Sequence, residues 1–170
     1  ISQNRLWGFL SDEPSEYAYS QELLPNTGLQ FNNDALGGRV PSEAGDGVKV
    51  HELDEKTILF CERKLYVVYG SGPDPSGANN NFSEPQLIPS DVGCSEARSV
   101  LSLPVGIIFK TPKGWYVLGR DLVTRYIGEG VARWDSYSVS SAVLIETEHE
   151  ARFTSTDPEG PTLVYDYTTG

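Results

Sequence analysis

Acidic and imidazole side chains crowd together at one point of this 170-residue sequence, at Glu146, Glu148, His149 and Glu150. Carboxylates beside an imidazole are the groups that general acid–base catalysis uses. Here they connect two strand-like segments, and alternate residues of a strand face opposite ways. The pattern therefore favours a charged, exposed turn over an active site. His51 is the other histidine, and its strand-like context favours packing or a channel-facing position over catalysis.

A polar loop over residues 70–82 is the second segment whose side chains could bind a ligand. Asp74, Ser76, Asn79 and Asn81 alternate oxygen-bearing side chains that could surround a calcium ion. Their spacing misses the EF-hand register and no bidentate Glu closes the loop. The glycines lack the Gly-Lys-Ser/Thr ending of a phosphate-binding loop. We expect a solvated surface loop with no metal.

Two cysteines, Cys61 and Cys94, make neither a disulfide framework nor a metal site, because neither has a second Cys or a His at ligand spacing. Cys61 lies inside a strand-like run and is predicted to be a small buried hydrophobe. The motifs of serine hydrolases and zinc proteases are absent from the sequence. The sequence predicts no catalytic residue, no cofactor and no metal, so it favours a protein that is not an enzyme.

Charge and composition narrow the classes of partner. The net charge of −11 and the pI near 4.5 argue against nucleic-acid binding through phosphate neutralisation, because that mode needs clustered Lys and Arg. No run approaches the ~20 apolar residues of a membrane span. The sequence has no Met and begins at Ile1, from which we expect an excised part of a longer protein.

Three predicted hairpins form the framework that positions these residues and loops. The clearest is Ile107–Gly119, where two β-branched and aromatic runs flank Pro-Lys-Gly. The same unit recurs at Thr57–Gly70 and at Ala151–Tyr167. Aligning their phenylalanines gives steps of 49 and 44 residues, from Phe60 to Phe109 and from Phe109 to Phe153. A further strand precedes each hairpin, and another follows the first two.

Four short antiparallel strands per roughly 40–50 residues are typical of a β-propeller blade. We predict an all-β fold in one β domain over 1–170, a β-propeller-like array with a partial blade at 1–47, blades at 48–92 and 96–131, and a partial blade at 136–170. The first partial blade is expected to contain the middle strands of its sheet and an outer strand near Leu29–Phe31. The array would be an incomplete arc of a larger propeller.

The order of several short motifs resembles virion proteins of tailed bacteriophages and their prophages, in which propeller-like tail hub or nozzle subunits surround the DNA channel. The likeness covers about residues 45–170, and its motifs are Pro89–Cys94, Gly106–Leu122, Tyr126–Gly128 and Thr162–Tyr167. The resemblance implies a structural subunit in a homo-oligomeric ring, with contacts to other tail subunits and no catalytic residues. DNA would be only passing cargo, without sequence-specific binding. The location implied is the virion, after synthesis in the bacterial cytoplasm.

Two alternatives remain open from the residues alone. One is a cell-surface or secreted propeller module that binds glycan or protein through the 70–82 loop and exposed Tyr and Trp side chains. The other is a hydrolase propeller whose catalytic residues lie outside this segment.

Overall fold

A computed structural model describes residues 1–26, 28–31 and 36–169. Within these ranges the chain is all-β, with fourteen strands in four antiparallel sheets of three or four strands, joined by turns and short 3-10 helices. It divides into two compact units, residues 1–93 and 94–170. Each unit contains two sheets.

The first unit consists of sheets I and II. Sheet I has the strand order β1-β2-β3 and sheet II the order β4-β5-β6-β7. The strands are β1 Trp7–Phe9, β2 Glu16–Tyr19, β3 Gly37–Arg39, β4 Gly47–Leu53, β5 Lys56–Cys61, β6 Leu65–Val68 and β7 Gln86–Leu87. One face of sheet I packs on one face of sheet II through aromatic and aliphatic side chains, among them Trp7, Tyr17, Tyr19, Leu59, Cys61, Tyr66 and Val68.

The second unit consists of sheets III and IV. Sheet III has the strand order β11-β10-β9-β8 and sheet IV the order β12-β13-β14. The strands are β8 Leu101–Leu103, β9 Gly106–Thr111, β10 Gly114–Gly119, β11 Thr124–Tyr126, β12 Val139–Ile145, β13 Glu150–Ser155 and β14 Thr162–Asp166. Trp115 of sheet III and Phe153 of sheet IV meet with ring centroids 4.5 Å apart, at the centre of the core between the two sheets.

The three predicted hairpins are confirmed as β5-β6, β9-β10 and β13-β14. The predicted alignment of Phe60 with Phe109 is wrong by one residue. The strand before each hairpin pairs Leu53 with Lys56 in sheet II and Leu103 with Gly106 in sheet III. Lys56 and Gly106 are therefore equivalent, and counting three residues onward from each shows that the counterpart of Phe109 is Leu59.

The third hairpin agrees with this corrected register. Ile145 pairs with Glu150 in sheet IV, so Phe153 occupies the position that Phe109 and Leu59 occupy in their own sheets. Sheets II and IV also carry a β-bulge at the same point, between Gly47 and Lys49 and between Val139 and Ser141. A shift of one residue moves a side chain to the other face of a sheet, so Phe60 lies on the opposite face from Leu59.

The outer strand predicted near Leu29–Phe31 is also wrong, because these residues are not a strand. The third strand of sheet I is β3. Its Gly37 lies so close to β2 that a Cβ would be 2.4 Å from the Tyr17 carbonyl oxygen. Ser2 pairs with Arg5 just before β1, as Leu53 pairs with Lys56 where β4 turns into β5. By this turn β1 and β2 correspond to the second and third strands of sheet II.

Candidate interaction site

The acidic cluster around His149 is a surface turn. Glu146–Glu148 form a short 3-10 helix between β12 and β13, and His149 closes it in the left-handed conformation at φ 58°. The His149 Nδ1 atom lies 3.4 Å from the hydroxyl of Tyr167, and all four side chains except the half-buried Glu150 are exposed. The interpretation as a charged, exposed turn is confirmed.

His51 lies in β4, as predicted, and its imidazole is half-buried. Burial, followed by the positive charges of Lys49 and of the N-terminal ammonium, lowers the pKa of His51 to about 4. The ring is therefore neutral at pH 7, so it cannot supply a proton as an imidazolium there.

The 70–82 loop uses its own oxygens as hydrogen-bond acceptors. The carboxylate of Asp74 accepts the backbone N–H of Ser76 at 2.9 Å and the side-chain amide of Asn79 at 2.8 Å. Hydrogen bonds from Ser76 and Asn79 hold the pKa of the exposed Asp74 carboxyl below its usual value. Asn81 Oδ1 accepts the N–H of Gly72 at 2.7 Å. A calcium ion at these oxygens would have to displace donors that are already bound to them.

This loop is fixed to sheet I by a buried cation. The Arg5 guanidinium is 1% exposed, donates to the carbonyl oxygens of Ser20 and Pro73, and lies 5.9 Å from the ring centroid of Phe82. Asn80 donates to the Tyr19 hydroxyl at 3.0 Å. In the described part of the chain, no group of three or more His, Cys, Asp or Glu is arranged to hold a metal ion.

Both cysteines are fully buried and are not joined in a disulfide. Cys61 is the last residue of β5 and belongs to the core between sheets I and II, which confirms its prediction as a buried hydrophobe. Cys94 Sγ lies 3.5 Å from the Glu96 carbonyl oxygen. Neither thiol is placed to react with a molecule in solution.

The uncovered face of sheet IV is the first surface suited to binding a partner. Ala151 and Phe153 turn toward sheet III, so Arg152 and its cross-strand neighbours Val143 and Val164 turn away from it. The two valines are 53% and 49% exposed. In sheet III the residues in the positions of Arg152 and Val164 are Ile108 and Val117, which are buried against sheet IV. Sheet IV thus exposes a face that its counterpart covers with another sheet.

Sheet I has a matching uncovered face. Trp7 and Phe9 pack toward sheet II, so the flanking Leu6 and Leu10 turn the other way and are 38% and 41% exposed. Glu16 shares this face and forms an ion pair with Arg39. Both faces combine exposed aliphatic side chains with charged groups.

The edge of β1 is the second surface. The backbone groups of Gly8, and those of the flanking Leu6 and Leu10, form hydrogen bonds on the β2 side. The Leu10 N–H, for example, donates to the Glu16 carbonyl oxygen at 2.9 Å. Because backbone groups of an antiparallel strand alternate in direction, the N–H and C=O groups of Trp7 and Phe9 point away from β2. A cavity of about 510 Å³ lies along this edge, between Trp7–Ser11 and Asp46–Val50.

Comparison of the chain with protein-family models and with curated proteins finds no match. In the ranges that the structure describes, no helix is long and apolar enough to cross a membrane.

Proposed function

We propose that this chain is a structural subunit of a virion, a propeller-like tail hub or nozzle component of a tailed bacteriophage or prophage whose copies assemble into a ring around the DNA channel. The sheets act as blades, and the chain's role is to build the ring rather than to catalyse a reaction. DNA passes through the ring without sequence-specific binding. The acidic balance of 24 Asp and Glu against 13 Lys and Arg supports a wall that repels phosphates.

The observation that carries the proposal is the uncovered face of sheet IV. Its exposed Val143 and Val164 stand where the equivalent face of sheet III is covered by the next sheet. In a second copy of the chain, the uncovered face of sheet I carries Leu6 and Leu10 and would pack against this face. A contact between two different faces of identical subunits is heterologous, and such contacts close into rings when the rotation permits.

The test blocks each face separately. A variant with Val143→Asp and Val164→Asp, and one with Leu6→Asp and Leu10→Asp, should each remain a monomer in sedimentation velocity. Mixed together they should form a one-to-one dimer, because each variant retains one intact face. Val105→Asp with Val123→Asp is the matched control, since these valines are 43% and 48% exposed but lie in turns. It should assemble as the unsubstituted chain does.

Assembly and location are separate outcomes. A chain that is monomeric at all concentrations, or a mixture that gives no dimer, overturns the ring. Mass spectrometry of tailed particles purified from the strain that encodes the chain tests the virion location, where its absence from all particles overturns that assignment.

The glycan-binding alternative is not favoured by the 70–82 loop, whose Asp74 and Asn81 oxygens are engaged within the loop.

A further inference from the structure

The 70–82 loop reaches from sheet II across to sheet I. It leaves β6 and returns to β7, and both of these strands belong to sheet II. At its base the Ser83 N–H donates to the Tyr69 carbonyl oxygen at 2.8 Å. The ends of the loop are therefore held by sheet II, whereas residues within it contact sheet I.

Phe82 and Asn80 attach the loop to the aromatic side chains of sheet I. The Phe82 ring centroid lies 5.0 Å from that of Trp7 and 4.9 Å from that of Tyr19. Asn80 donates to the Tyr19 hydroxyl at 3.0 Å. With the loop in this position, Trp7 and Tyr19 are only 9% and 2% exposed. Opening of the loop would therefore expose apolar ring surface of both residues, at a cost in free energy.

Arg5 makes the loop and sheet I depend on each other. Its buried guanidinium, just before β1, donates to the Ser20 carbonyl oxygen after β2 at 3.2 Å and to the Pro73 carbonyl oxygen in the loop. The Nε atom has no hydrogen-bond partner. Because a buried charge is tolerated only when it is hydrogen-bonded, Arg5 needs both carbonyl groups to keep its place. If the loop opens, Arg5 loses one of its two acceptors and the Phe82 ring together.

Apart from these contacts, sheet I is held to sheet II by side-chain packing. Within the described ranges, the strands of sheet I pair with one another and share no ladder with sheet II. They are three or four residues long. Sheets this small need to pack against another element to be stable. The attachment of sheet I is thus sensitive to the loop that covers its aromatic side chains.

We propose that the 70–82 loop is a latch for sheet I: the loop and the sheet open together as one cooperative unit while sheet II stays folded. In the closed state the loop covers Trp7 and Tyr19. In the open state these rings, and the opposing Leu59 and Tyr66 of sheet II, are accessible to water. The loop thereby controls access to the core between the two sheets. This inference does not depend on the ring or on the virion.

Hydrogen exchange of the full chain in increasing urea, below the unfolding transition, measures these openings. Gly72 reports on the loop, because its buried N–H donates to Asn81 Oδ1 at 2.7 Å. Tyr19 reports on sheet I, where its N–H donates to the Leu36 carbonyl oxygen at 3.0 Å, and Leu59 reports on sheet II. The Gly72 and Tyr19 amides should share one opening free energy and one urea slope, and Leu59 should exchange at least tenfold more slowly. Different opening free energies or slopes for Gly72 and Tyr19 overturn the latch.

Two buried valines provide the matched variants. Val40 follows β3, is 1% exposed and belongs to the core between sheets I and II, whereas Val67 in β6 is 3% exposed and turns away from sheet I. Val40→Ala should speed exchange at Tyr19 and at Gly72 by the same factor, about tenfold, because both amides open only when sheet I does. Val67→Ala should speed exchange at Leu59 but not at Gly72, because the latch opens with sheet II intact.

The two other ways in which the loop could open give different results. A loop that opens by itself would keep its Gly72 exchange rate in Val40→Ala. A loop that opens only when the whole chain unfolds would exchange faster at Gly72 in Val67→Ala, by the same factor as Leu59. Either result contradicts the proposal.

Discussion

Lys110 Nζ lies 2.6 Å from Glu96 Oε1 in the second unit, with the two side chains 4% and 19% exposed. The ammonium also donates to the Tyr137 carbonyl oxygen at 2.5 Å, and Glu96 Oε2 accepts the N–H of Val139 at 2.6 Å. Glu96 precedes β8, Lys110 lies in β9 and Val139 begins β12. This buried pair therefore joins sheet III to the first strand of sheet IV.

Replacing Lys110 by Met should destabilise the chain by about 3 kcal/mol in urea unfolding, because it leaves the Glu96 carboxylate without its cation in a mostly buried place. Lys113→Met is the control on the same hairpin, where the side chain is exposed, and it should leave the unfolding midpoint nearly unchanged. Adding Glu96→Gln to Lys110→Met should restore part of the loss. Equal midpoints for the two Lys variants would show that the buried pair does not stabilise the fold.

The stability of the chain should fall as the pH decreases from about 6.5 to about 4. The pKa of His51 is lowered to about 4 in the folded chain, chiefly by burial, whereas an unfolded His titrates near 6.5. The unfolded state therefore binds the proton first, so the contribution of His51 is complete above pH 6.5 and is lost as the pH approaches 4.

Unfolding free energies measured across this range should show a smaller slope in His51→Gln than in the unsubstituted chain. His149→Gln removes the other histidine, which is exposed, and should keep the original slope. A His51→Gln slope equal to that of the unsubstituted chain would exclude His51 as the source.

Gly93→Ala should lower the free energy of unfolding by about 1–3 kcal/mol, the usual cost of overpacking. A Cβ at Gly93 would lie 2.4 Å from the Arg63 nitrogen and from the Cys61 carbonyl oxygen. These are backbone atoms, which cannot rotate away as a side chain could. Gly130→Ala, where a Cβ would meet nothing within 4 Å, should have a midpoint within error of the original. Thermal melts that rank the two variants in the opposite order would contradict this packing.

Calcium should not stabilise the 70–82 loop. The oxygens of Asp74 and Asn81 already accept backbone and side-chain donors, so an ion gains no free ligands there. The thermal midpoint in millimolar calcium should equal that in chelator, whereas Asn81→Ala, which removes the acceptor of the Ser71 and Gly72 N–H groups, should lower it in both. A rise of the midpoint with calcium, lost in Asp74→Ala, would establish an ion site.

The sequence by itself determined where the three hairpins turn and which segments form their strands. Alternation of apolar residues and punctuation such as Pro112-Lys113-Gly114 act over a few neighbours, so the hairpins, the exposed turn at His149 and the buried Cys61 could be predicted. The spacing of metal ligands and catalytic motifs is likewise a property of short segments.

Only the tertiary structure decided which face each strand presents and which strands pair. Phe60 and Leu59 are both buried apolar residues, and nothing local distinguishes them; the pairing of Leu53 with Lys56 assigns them to opposite faces. Lys110, a charged residue near the end of β9, is buried beside Glu96, which is fourteen residues away in sequence. The third strand of sheet I includes Gly37, which lies so close to the Tyr17 carbonyl oxygen that a side chain would not fit. Each outcome depends on partners distant in sequence, whose positions no local pattern encodes.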